Sequence, residues 1–109
     1  WKVKTPTLFF VGEEDVRVPP TQSILMYRGV QAAGAPTALY IAEGEPHNYR
    51  EPAHQLFKIN TELAWYAHFA LGQTYDPVLP AEAYVKEKET TRNGYYFALW
   101  RRFFNLYNV

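Results

Sequence analysis

Residues 7–11, Thr-Leu-Phe-Phe-Val, form a continuous apolar run between Pro6 and Gly12. Unbroken hydrophobicity over so short a span fits a strand buried on both faces of a parallel sheet better than an alternating, half-exposed one. The polar stretch Gly12-Glu13-Glu14-Asp15-Val16-Arg17-Val18 cannot continue that strand. Pro19-Pro20 then marks the start of a helix, because proline suits a first helical turn. Over 21–33 the apolar residues Met26, Val30 and Ala33 recur at helical spacing, Gly34 is placed to cap the helix, and Pro36 forbids its continuation. A second strand-like run, Thr-Ala-Leu-Tyr-Ile at 37–41, leads at once into the loop Glu43-Gly44-Glu45-Pro46-His47-Asn48-Tyr49. From 51 to 71 the stripe Leu56, Ile59, Leu63, Ala67 and Ala70 follows the helical period, with Pro52 in the first turn and Gly72 able to close the helix.

The order strand, helix, strand, helix predicts an α/β fold: a parallel sheet whose crossovers cover both faces. Two strands leave bare edges, so the rest of the sheet is expected outside this sequence. After Gly72 the pattern changes. Residues 73–79 carry Pro77 and no clear period, and 84–91 hold the charge run Lys86-Glu87-Lys88-Glu89, which reads as a solvated connector or short helix. From 95 to 107, Phe97, Trp100, Phe104 and Tyr107 fall on one face of a terminal aromatic helix, which either packs back on its own or a neighbouring domain or makes an oligomer contact.

A length of 109 residues suffices for one small domain. Eleven Lys and Arg balance eleven Asp and Glu, giving zero formal charge, so no nucleic-acid partner is expected. No apolar run is long enough to span a bilayer, and no membrane partner is expected. With no cysteine there is no disulfide scaffold, thiolate zinc site or cysteine nucleophile, while the compartment stays open. Opening on Trp1 and carrying 17% aromatic residues, the chain is expected to be a piece of a longer polypeptide. Its single serine, Ser23 in Thr21-Gln22-Ser23-Ile24, is nothing like the Gly-x-Ser-x-Gly turn that holds a nucleophile.

Two titratable residues occupy the loops that matter. Asp15 follows the first strand and His47 the second, and the carboxyl ends of parallel strands are where open α/β sheets gather active sites. An Asp bonded to one imidazole nitrogen fixes the tautomer, leaving the other nitrogen to take a proton from a hydroxyl. Taken singly, Asp15 reads equally as a turn former and His47 as an exposed loop residue. His47, Glu51 and His54 make a poor metal cluster, since Pro52 and the loop-to-helix transition spoil a common face. His54 and His68 read as helix-surface residues, and Glu13, Glu14, Glu43 and Glu45 as solvated loop charges. An ion pair from Arg17 to the Asp15 loop would contribute little.

The stretch from Lys4 to Ser23, with Gly12-Glu13-Glu14-Asp15-Val16-Arg17-Val18-Pro19-Pro20 at its centre, resembles the catalytic-acid segment of α/β-hydrolases of the prolyl oligopeptidase family, which includes acylaminoacyl and dipeptidyl peptidases. The likeness continues through Glu43-Gly44-Glu45-Pro46-His47-Asn48-Tyr49-Arg50-Glu51-Pro52, similar to that family's histidine loop, into Asn60-Thr61-Glu62-Leu63-Ala64-Trp65-Tyr66 of its closing helix. Pro46 and Asn48-Tyr49 depart from the small, glycine-rich surroundings common in such loops.

The resemblance implies that residues 1–72 are the last strands and helices of an α/β-hydrolase sheet, an incomplete domain followed by an extra tail at 73–109. It implies Asp15 as triad acid and His47 as general base, in the chain order Ser, Asp, His. The nucleophilic serine and oxyanion hole are then expected upstream, on a missing N-terminal part that serves as partner. The substrate would be a short peptide, no cofactor is needed, and the isolated chain is expected to be inactive. A carboxylesterase of the same fold would use the same two residues. A non-enzymatic piece that associates with copies of itself through its sheet edge and aromatic tail is the other alternative.

Overall fold

The computed structural model of the chain describes residues 2–77. The expectations for 84–91 and for the aromatic helix at 95–107 lie outside the described residues. Four main elements follow the expected order: strand β1 (Thr7–Gly12), helix α1 (Pro20–Ala32), strand β2 (Thr37–Ala42) and helix α2 (Pro52–Tyr66). The last turn of α2 widens into a π-helical segment, Ala67–Leu71.

β1 and β2 pair in parallel, with Thr7 opposite Thr37 and Gly12 opposite Ala42. The pairing begins at a double tie, where the Thr7 N–H donates to the Pro36 carbonyl at 2.9 Å and the Thr37 hydroxyl to the Thr7 carbonyl at 2.8 Å. α1 is the crossover and packs on both strands. Pro20 opens it, and Gly34 ends it in the left-handed region at φ +79° that a side chain would disfavour.

In-register pairing puts Phe10 beside Tyr40, and their rings stack at 5.3 Å. Phe57 of α2 meets both edge-on, at 6.4 and 5.1 Å. This three-ring cluster joins α2 to the sheet, an arrangement aromatic quadrupoles favour. Val11, Val30, Ala35, Ala42, Ala64, Trp65 and Ala67 complete the small buried core.

The face of α2 turned inward departs from the stripe expected from the sequence, of which Ala67 is buried. Asn60, Thr61, Ala64 and Trp65 are buried, while Ile59 is 53% and Leu63 46% exposed. The rings of Phe10 and Tyr40 draw Phe57 inward, and with it the residues one turn further along its side of the helix. Ile59 instead lines an open cavity beside Phe10 and Val11. On α1 likewise Val30 is buried as expected, but Met26 is exposed. Asn60, a polar residue in a buried row, accepts a hydrogen bond from the Tyr75 hydroxyl at 2.9 Å. Residues 73–77 thus fold back on α2, aided by the Gln73 N–H donating to the Ala67 carbonyl.

Candidate active site

Both loops leave the same end of the sheet and are tied to each other independently of Asp15 and His47. The Glu13 N–H donates to the Ala42 carbonyl at 2.8 Å, the Glu14 N–H to the Glu45 carbonyl at 2.9 Å, and the Gly44 N–H to Glu13 Oε2 at 2.9 Å. Gly12 is needed at this seam because a Cβ there would lie 2.1 Å from the Glu45 carbonyl oxygen and 2.5 Å from that of Pro46. The two loops therefore act as one rigid piece.

Asp15 turns back on its own loop. Its Oδ1 accepts from the Arg17 and Val18 N–H groups, each at 2.9 Å, the local closure that short acidic side chains favour in turns. Arg17 thus anchors this loop through its main chain, not through the ion pair that its charge suggested. Oδ2 is left for His47, whose Nδ1 lies 2.8 Å away. The Asp15 side chain is only 4% exposed and the imidazole 44%. Burial opposes ionisation of Asp15. The bonds from Val18, His47 and Arg17 outweigh that, and the carboxyl is held below its ordinary range. An ionised Asp15 can only accept, so His47 donates to it from Nδ1, and in the neutral imidazole Nε2 is then the acceptor. Both residues line one cavity with Val18, Ser23, Asn48, Tyr49, Gln55, Lys58 and Ile59.

A second carboxylate–imidazole pair sits behind the first, and sequence reasoning missed it. Glu45 is 3% exposed, so it is no solvated loop charge, and His54 Nδ1 lies 2.7 Å from its Oε1. His54 is correspondingly no free surface residue, its side chain being 12% exposed. Glu45 also accepts from the Arg50 N–H at 2.6 Å and the Glu51 N–H at 2.9 Å. Burial raises its carboxyl, but these bonds and His54 prevail and hold it below the usual value. Its spacing carries no signal for this, because the N–H groups that Glu45 collects, Arg50 and Glu51, lie in the loop and at the N-cap ahead of the helix that opens at Pro52. His47 and His54 face different carboxylates, and among the described residues no three metal-ligating side chains come together. No helix among them is long and apolar enough to cross a membrane.

Asp15 and Glu45 make the same prediction for acid. Each has a folded pKa below its unfolded value, so the stability it contributes is present above the unfolded value and is lost as pH falls through the folded one. Unfolding followed by the fluorescence of buried Trp65 should shift to lower denaturant as pH drops through and below about 4. Glu45→Gln should flatten that dependence.

Residues 1–73 match the model of the prolyl oligopeptidase family. No curated protein and no solved structure matches the chain significantly.

Proposed function

This chain belongs to the prolyl oligopeptidase family, and from that premise we propose that Asp15 and His47 are the acid and base of a serine peptidase of α/β-hydrolase fold. The observation that carries the reading is the 2.8 Å contact between His47 Nδ1 and Asp15 Oδ2, made across the carboxyl ends of two parallel strands. A serine outside this sequence attacks the peptide carbonyl while its proton passes to His47 Nε2. The imidazolium, stabilised by Asp15, then returns the proton to the departing amine, leaving an acyl-enzyme for water to hydrolyse. The exposed Ile59 and Leu63, with a sheet of two strands among the described residues, suit a domain that continues beyond them. Short peptides are the proposed substrates, and comparison of amide with ester rates distinguishes a peptidase from a carboxylesterase.

Ser23 is the rival nucleophile, since it lines the same cavity. It sits in the first turn of α1, however, without the strained strand-to-helix turn that exposes a hydrolase serine. Treated alone with a fluorophosphonate, the 109-residue chain should take no label. Material purified from its source should show, in native mass spectrometry, the label on polypeptide outside these residues. Ser23→Ala should leave turnover within about twofold of the parent, the range of a surface change of about 0.5 kcal/mol or less. Labelling of Ser23 itself would overturn the reading.

A further inference from the structure

Loop residues 45–51 carry the imidazole, yet among the described residues the His47 ring makes one hydrogen bond, to Asp15. The precision of a base held on a loop has to come from something behind it. Glu45 is the residue that meets every neighbour needed for this. Its carbonyl accepts from Glu14 in the Asp15 loop, which fixes it to the acid side of the site. Its buried carboxylate accepts from Arg50, Glu51 and His54, which fixes it to the entry of α2. His47 lies between these two attachments. The Gln55 side chain closes the same span by donating to the Tyr49 carbonyl at 2.6 Å.

We propose that Glu45 is the positioning residue for His47: with His54 it clamps both ends of loop 45–51, so that the imidazole stays within hydrogen-bonding reach of Asp15. The proposal rests on the reading of His47 as the base and adds a residue that touches neither substrate nor the reacting atoms. The two N–H groups it holds belong to the last loop residue, Arg50, and to the N-cap of α2, Glu51, so the clamp ends where the helix begins. Glutamine cannot replace it. Whichever way the amide turns, its NH2 faces either the Arg50 N–H, or the Glu51 N–H together with His54, so that a donor meets a donor.

The test begins with the full chain, by proton and nitrogen NMR of its imidazoles. The parent should show a protected His47 Nδ1 proton, lost in Asp15→Asn; its absence in the folded parent would instead sink the Asp15–His47 pairing on which the proposal stands. Glu45→Ala and the volume-conserving Glu45→Gln should each speed exchange of that proton at least about tenfold, while the amide shifts of Thr7 and Thr37, at the opposite end of the sheet, stay in place. In the polypeptide that also bears the serine, kcat should fall about 10²-fold with KM nearly unchanged, the effect of displacing a catalytic group by about 1 Å. Glu45→Gln covers the case in which the alanine variant fails to fold. A protected His47 proton and parental kcat in a folded Glu45→Gln chain would overturn the proposal.

Discussion

Asp15→Asn, in the polypeptide that also carries the serine, is expected to lower kcat about 10⁴-fold while leaving the fold almost intact. The amide oxygen of the new side chain can still accept from the Arg17 and Val18 N–H groups, which hold Asp15 Oδ1 at 2.9 Å each. The NH2 group then replaces Oδ2 opposite His47, and a donor there forces Nδ1 to accept. The proton moves to Nε2, which can no longer take one from a serine. The defect in turnover is thus one of tautomer, and steady-state kinetics should show lost turnover with little change in KM, while the thermal midpoint falls only by what the ionised carboxylate contributes. Turnover within about tenfold of the parent would remove Asp15 from the role of acid.

Gly12→Ala should damage the structure itself. Adding one methyl group to a well-packed site ordinarily costs about 1–3 kcal/mol, because a neighbouring side chain can yield. Here the atoms in the way are backbone: the Glu45 carbonyl oxygen at 2.1 Å, the Pro46 carbonyl oxygen at 2.5 Å and the Glu45 carbonyl carbon at 2.7 Å. They belong to the loop that carries His47, so relief requires the two loops to part. The expected cost is about 3 kcal/mol or more, a large share of the roughly 5–15 kcal/mol that stabilises a domain. Denaturant titration measures it. Where the variant still folds, the His47 Nδ1 proton should no longer be protected by Asp15. A midpoint equal to the parent's would show that the loops are not packed as described.

Much of this was legible in sequence because local chemistry and fold agree. The run 7–11 and the run 37–41 became β1 and β2, each one residue longer, and Pro20, Gly34, Pro52 and Gly72 bound the helices as their backbone preferences require. The facing of α2 was not legible. A periodic stripe tells which residues share a side of a helix, whereas the ring cluster of Phe10, Tyr40 and Phe57 decides which side turns inward, and that cluster depends on strand register. Glu45 and His54 were hidden for a related reason. Charge in a loop is ordinarily solvated, and burial here follows from the Arg50 and Glu51 N–H groups ahead of α2 and the His54 ring, which the carboxylate meets only once the loop is folded. The adjacency of Asp15 and His47 is a property of parallel pairing, and spacing along the chain could only suggest it.

The turn at Gly34 lies at the amino end of β2 beside the Thr7–Thr37 tie, and the ties between the Asp15 and His47 loops lie at the other end. Thr37 to Thr7, Gly44 to Glu13 and His47 to Asp15 span 30, 31 and 32 residues, so all of them close the same crossover. Chain-closure entropy grows only with the logarithm of length, about 0.6 kcal/mol for each doubling, and once one tie has met that cost the others add little. The turn before β2 is therefore where this architecture can absorb extra residues as it evolves. Growth there lengthens the path between Asp15 and His47 without moving either.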